Sequence, residues 1–331
     1  SEAPWQTAFW AFVRTWWDES EHVTVHTSGS TGTPTAINLA KRSMRESARM
    51  TGNFLHLKPG QTALCCLPCD FIAGKMMLVR TWELGLNLAV VPPSGNPLAH
   101  VSTQIDFAAM TPFQVARVME DPTTRDRLQR IGCLIIGGGA IPGPLVARIA
   151  KLPNAVYATY GMTETITHVA MQRLNGPSAT SYFEALPGVT FSTDDRECLV
   201  ITAPHLVAQP LVTNDMVRLH NAQRFTWLGR ADHVINTGGI KVFPEEVERK
   251  IDRLVPYRFF LTGQPHPELG EAVVLIVEGA PDASERNELL DRVREAVTRF
   301  ERPQGLISIP AFVETANGKV QRKATLQQLG W

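Results

Sequence analysis

Neither sign of charge prevails in this chain: Lys and Arg total 32, Asp and Glu total 32, and the formal net charge is zero. Without a basic excess there is no broad electrostatic footprint for nucleic acid or anionic lipid, although local basic residues can still hold a phosphorylated ligand. No apolar run approaches the ~18 residues that a spanning helix needs, and the start of the chain lacks a signal-peptide pattern. A cytoplasmic protein without membrane insertion is expected. Cysteine is sparse and odd in number, five residues, with three crowded at Cys65, Cys66 and Cys69. Such usage suits reduced thiols rather than a disulfide framework, and a metal site on Cys66 and Cys69 would lack a second ligand pair. Internal repeats and low-complexity tracts are missing as well, which sets aside solenoids and repeat arrays.

What remains is an ordinary globular balance, 44% hydrophobic and 19% charged, in 331 residues. That length exceeds what one core usually supports, so two domains are expected. Trp5, Phe9, Phe12, Val13 and Trp16 recur at helical spacing behind Pro4, and core docking explains such a stripe better than a membrane surface, which would want more basic residues opposite. Between Val23 and Trp227 short apolar runs alternate with helical patterns. Cys133 to Ile136 reads as a buried strand, Pro144 to Leu152 as a helix, and Ala155 to Tyr160 as the next strand. That order predicts α/β architecture with a helix-covered, mainly parallel sheet, whose ligand loops sit at the carboxyl ends of strands. After Arg230 the pattern predicts a small α+β domain: a helix opened by Pro244, a strand over Ala272 to Val277, a helix from about Ser284 to Phe300, and a strand from Leu306 to Val313. The expected division is 1–230 and 231–331.

The most informative stretch is Thr27-Ser28-Gly29-Ser30-Thr31-Gly32-Thr33-Pro34. Glycine lets backbone approach closely and small hydroxyls donate without bulk, so the loop can wrap a polyphosphate; a flexible polar turn is the plainer reading. Gly137-Gly138-Gly139 and Tyr160-Gly161-Met162-Thr163-Glu164 follow expected strands. A lone carboxylate near a phosphate loop suits Mg²⁺, which keeps most of its waters; the alternative is a strand end followed by a capped helix. Asp215 can accept two hydrogen bonds, as a ribose diol requires, and Arg230 can add donors. In Asn317-Gly318-Lys319-Val320-Gln321-Arg322, Asn-Gly marks a tight turn. Its lysine either points into solvent or meets an anion on the other domain.

These segments, in this order, resemble the adenylate-forming superfamily of acyl-CoA synthetases, peptide-synthetase adenylation domains and luciferases, from about Val23 to Arg322. The resemblance implies two steps. A carboxylate attacks the α-phosphorus of ATP and expels pyrophosphate; a thiol, commonly that of CoA, then attacks the acyl carbon and releases AMP. It further implies that Thr27, Ser28, Gly29, Ser30, Thr31 and Gly32 hold the departing phosphates. Gly138, Gly139, Tyr160 and Gly161 would frame the nucleotide, Thr163 the α-phosphate, Glu164 the Mg²⁺, and Asp215 with Arg230 the ribose. Lys319 would bridge carboxylate and α-phosphate as charge develops. Asp232 would be the hinge of a mobile C-terminal domain, and Gly238 and Gly239 would line the thiol's tunnel. Departures from the pattern are Thr35 where lysine is common, Asn214 where glycine is usual, Phe71 at the aromatic gate, and only 26 residues before the phosphate loop. The last implies a shortened large domain.

Within the superfamily, the segments Phe71 to Arg80 and Tyr160 to His168 look like those of compact 2-succinylbenzoate–CoA ligases of menaquinone synthesis. Such a substrate has a second, aromatic carboxylate, which His168 or Arg80 would hold while Phe71 and the Gly161 backbone flank the ring. The plainer readings are a structural histidine and a surface ion pair. Loading of a carrier-protein phosphopantetheine, or a degenerate nucleotide binder, stays open as an alternative. Small molecules are the expected partners, and a homodimer is compatible with the sequence.

Overall fold

A computed structural model describes residues 3–27, 35–314 and 320–331. Its larger sheet has eleven strands, and five of them are mutually parallel: Asn87–Val90, Thr62–Cys65, Phe107–Met110, Cys133–Ile136 and Ala155–Gly161, in that spatial order. Helices Ile72–Leu84, Pro112–Val118, Pro122–Arg130 and Gly143–Ile149 lie in the crossovers between them. A parallel return needs a long crossover of this kind. Both Phe107–Met110 and Cys133–Ile136 are buried at every position, as strands covered on two faces must be.

Beyond Gly161 no α-helical crossover intervenes, and the remaining strands of this sheet pair antiparallel. His168–Arg173, Phe183–Ala185, Arg224–Arg230, Leu211–Asn221, Cys198–Thr202 and Thr190–Thr193 extend the sheet in this way. The α/β class holds, but "mainly parallel" describes only one side of the sheet. Strand Ala155–Gly161 is the seam, parallel to one neighbour and antiparallel to the other.

Alternation along strand Thr62–Cys65 sends Ala63 and Cys65 into one apolar core and Leu64 into another. The first core is covered by helices Lys41–Leu55 and Ile72–Leu84, and the N-terminal helix Pro4–Trp17 seals it. Phe12 and Trp16 are buried there and stack on Trp82 at 6.1 and 5.8 Å, so core docking accounts for the stripe. Trp10 and Trp17 of the same helix stay exposed.

From Ile235 on, a second, five-stranded sheet forms with its own core of Leu261, Val273, Leu275, Leu289 and Val293. Its main strands are Phe259–His266, Gly270–Glu278 and Gly305–Ile309. The last stops short of the expected Val313 because Pro310 has no amide proton to continue a ladder. Helix Ala283–Ala296 likewise ends before Phe300, where Val297 turns extended.

Candidate functional site

The seam strand delivers the chain into a short 3₁₀ turn, Thr163–Thr165, before strand His168–Arg173. Two local features shape this corner. A Cβ at Gly161 would sit 2.2 Å from the Thr167 carbonyl oxygen, so only glycine lets the two backbones close. At Ile166, φ is 68° and ψ is −59°, and the Thr167 N–H donates to the Thr165 carbonyl at 2.8 Å. That is a three-residue γ-turn of the positive-φ kind, a strained backbone that functional corners tend to hold. Burial of the Ile166 side chain at 2% exposure offsets the strain. The consequence is directional: Glu164 faces outward, while His168 is buried inward.

Inside the corner lies Arg80, carried by helix Ile72–Leu84 and only 2% exposed. Its partners are neutral. Nε donates to Thr51 Oγ1 at 3.4 Å, Nη2 to Thr167 Oγ1 at 3.3 Å, and Nη1 approaches Met77 Sδ at 3.8 Å. Among the described residues no carboxylate pairs with it, so the surface-ion-pair reading fails: helix packing puts this position in the core. Burial pulls the guanidinium down to about 9, which leaves it a cation at neutral pH. Beside it, burial and then the Arg80 charge hold His168 well below the ordinary imidazole range, so His168 is neutral. Arg80, Gly161 and His168 are thus brought together. Phe71 caps the start of the same helix, exposed, nine residues from Arg80 and hence roughly 13 Å along the axis.

From the seam strand itself, the Tyr160 hydroxyl donates to Asp215 Oδ2 at 2.6 Å. Burial, and then the Asp215 charge, raise the Tyr160 pKa above the ordinary phenol range, so it stays a donor. Its ring packs edge-on against Phe225 and tilted against Phe183. Arg230 lies across the ladder from Asp215, with Nη1 3.7 Å from Oδ1, and its Nε donates to Asp232 at 3.2 Å. Asn214 also donates to Asp232, at 2.9 Å, so hinge and ribose candidates share one network. Gly138 has φ of +84°, and nothing lies within 4 Å of a Cβ built on Gly139, which leaves this edge open to a flat ligand. Gly238 and Gly239, both at positive φ, form the two-residue link between strands Ile235–Thr237 and Ile240–Val242.

Ser28, Gly29, Ser30, Thr31, Gly32 and Lys319 lie outside the described residues, and so does the side chain of Thr27. The strands His22–Thr27 and Thr35–Ala40 pair antiparallel on either side of the phosphate-loop sequence. Glu164 is exposed and has no ion-pair partner among the described residues, a free carboxylate that fits one protein ligand of a largely hydrated Mg²⁺. No group of three or more His, Cys, Asp or Glu that could hold a metal occurs among the described residues. Likewise, no described helix is long and apolar enough to cross a membrane. Sequence reasoning missed Thr51, which gave no motif signal and becomes visible only through its contact with His168.

Residues 13–197 match the family of AMP-binding enzymes, and the chain belongs to it. A crystal structure of an acyl-CoA synthetase (AMP-forming)/AMP-acid ligase II-like protein from Dyadobacter fermentans is 36% identical, with a TM-score of 0.68. The match covers 99% of this chain and 95% of that one, so the compact length is shared. The 2-succinylbenzoate–CoA ligase of Salmonella typhimurium is 26% identical over 91% of this chain and 67% of its own length. The fold also matches o-succinylbenzoate CoA synthetase from Bacillus subtilis in complex with the acyl-adenylate intermediate. There identity is 19% and TM-score 0.73, over 91% of this chain and 68% of that one.

Proposed function

We propose that the chain is an AMP-forming acid–thiol ligase that activates the succinyl carboxylate of 2-succinylbenzoate and passes the acyl group to CoA. The observation that carries the substrate choice is the buried guanidinium of Arg80, which has no acid partner among the described residues. A cation held out of water is costly unless an anion joins it, and a second carboxylate on the substrate is such an anion. Neutral His168 beside it can donate or accept without adding charge. A plain fatty acid would leave Arg80 unpaired, which selects against it. The 2-succinylbenzoate–CoA ligases among the relatives support the same choice.

In the first step the succinyl carboxylate oxygen bonds to the α-phosphorus and pyrophosphate leaves. Asp215 and Arg230 would orient the ribose, Tyr160 would hold Asp215 in place by its hydroxyl, and Thr163 would bind the α-phosphate. Glu164 would hold Mg²⁺, which supplies positive charge for the triphosphate. The hydroxyls of residues 27–31 would grip the departing phosphates, and Lys319 would stabilise charge as it develops between the reacting groups. The thiol then attacks the acyl carbon, the acyl–phosphate bond breaks, and AMP departs. For that step residues 231–331 would turn about Asp232 and present Gly238 and Gly239 to the pantetheine arm, residues 1–230 keeping the adenylate.

A pyrophosphate-release screen across aromatic and aliphatic acids, with and without CoA, tests the reading. Release with 2-succinylbenzoate well above that with 4-oxo-4-phenylbutanoate, and thioester only when CoA is added, is the expected result. Equal rates with both acids would remove the second carboxylate from recognition. Adenylate formation without any transfer to CoA would instead favour loading of a carrier-protein thiol.

A further inference from the structure

We propose that Thr51 is a positioning residue for acyl recognition: its hydroxyl is the hub of a closed hydrogen-bond circuit that sets the tautomer of His168 and the aim of Arg80. The proposal rests on the reading of Arg80 as the seat of the substrate's second carboxylate.

Thr51 lies on helix Lys41–Leu55, apart from every motif that carries the nucleotide chemistry, and is 0% exposed. Its hydroxyl donates to the Ser47 carbonyl at 3.0 Å. A hydroxyl has one proton, so its remaining contacts must be accepted. His168 Nε2, 2.9 Å away, is therefore the protonated ring nitrogen, and Arg80 Nε is the second donor to the same oxygen at 3.4 Å. With Nε2 protonated and the ring neutral, His168 Nδ1 is bare. The Thr167 hydroxyl, at 3.2 Å, must give its proton there. Thr167 Oγ1 is then left to accept from Arg80 Nη2 at 3.3 Å. The circuit runs from Arg80 through Thr167, His168 and Thr51 back to Arg80, and each proton has one assignment.

Two consequences follow. The guanidinium is gripped by Nε and one Nη2 proton, which leaves further Nη protons unclaimed by oxygen, the donors that a carboxylate takes in pairs. The helix face under it is polar where an apolar face would pack at less cost, because Ser47 Oγ, one turn earlier, is also buried and has no partner. Replacing Thr51 by valine keeps the volume and removes the hub. His168 then loses what fixes its tautomer, and Arg80 loses one of two oxygen anchors.

The test compares wild type, Thr51→Val and Thr51→Ser. In Thr51→Val, KM for 2-succinylbenzoate should rise about tenfold with kcat within about threefold, as expected for lost ground-state orientation. KM for 4-oxo-4-phenylbutanoate, which lacks the ring carboxylate, should not move, and Thr51→Ser should restore wild-type values. Independently of any substrate, nitrogen-15 NMR of the ligand-free protein should show the Nε2–H form of His168 in wild type and in Thr51→Ser. Thr51→Val should show a mixture or the Nδ1–H form. Wild type that prefers the dicarboxylate, with Thr51→Val unchanged in KM and tautomer, overturns the role of Thr51 and leaves Arg80 standing. Wild type with no preference removes the reading of Arg80; the tautomer comparison then decides on Thr51 alone, and an unchanged ring overturns it.

Discussion

Arg230 and Arg80 meet opposite electrostatic conditions. Arg230 is 41% exposed at its side chain, has Asp215 at 3.7 Å and Asp232 at 3.2 Å, and joins a network complete without ligand. Arg80 is buried, anchored on hydroxyls and a thioether, with no acid paired to it among the described residues. On the proposed reading the first arrangement suits a neutral diol, because its carboxylate acceptors are already placed by Tyr160, Asn214 and Arg230. The second, on the same reading, suits an anion, because no acid among the described residues balances it. Recognition of the nucleotide and of the acid would then follow different principles: assembled geometry for one, an unmet charge for the other.

Neither arginine should show the largest effect if both act on ground-state binding. Lys319 is expected to act only as charge develops, so Lys319→Ala should reduce adenylate formation by about 10²–10³-fold or more. Thioester formation from pre-made acyl-adenylate should be largely spared. Single-turnover assays of the two half-reactions check this, and an equal loss in both would deny the lysine its step.

Arg80→Met sharpens the contrast next. Its kcat/KM for 2-succinylbenzoate should fall by about 10²-fold, while that for 4-oxo-4-phenylbutanoate should change little. The ligand-free variant should be as stable as wild type or more so, since an apolar side chain replaces a buried cation that has no acid partner. Urea unfolding decides it: a loss of several kcal/mol would mean that Arg80 is balanced within the protein, and the comparison would collapse.

Much of this arrangement was legible in the sequence, and the reasons differ by element. Strand Cys133–Ile136 and the strand from Ala155 emerge at their expected places because continuous apolar runs between turn residues leave few alternatives. The antiparallel extension did not, since pairing direction depends on how the strands are linked after Gly161 rather than on composition. Arg80, Gly161 and His168 lie at one corner, with Phe71 at the start of the helix that carries Arg80. The hub at Thr51 was invisible because its partner lies 117 residues on, and a threonine inside a helix carries no chemical signature. Ile166 was equally hidden: a β-branched residue is among the last expected at positive φ.

A smaller effect belongs to the assembled side. Asp215→Asn keeps the shape but halves the acceptors for Tyr160, Arg230 and the diol, so KM for ATP should rise about tenfold with KM for the acid unchanged. If the acid's KM moved equally, the two recognition modes would not be separable.

The smallest effect tests whether the unmet charge on the Arg80 side is tied to a neutral neighbour. His168 is held far below the ordinary imidazole range when folded, and in the unfolded chain it titrates near 6.5. Below that value the unfolded chain binds a proton that the native protein does not, so native stability falls as pH falls, by at most ~1.4 kcal/mol per pH unit from this group. At pH values above 6.5 both states hold neutral imidazole and the contribution is flat. His168→Gln removes the group, so between pH 7.5 and 5.5 the variant should lose about 1 kcal/mol less than wild type in urea unfolding. Parallel acid limbs would mean that native His168 takes up a proton beside Arg80. Two cations would then share a buried corner, and only a charge-balancing group on the protein itself could hold them there.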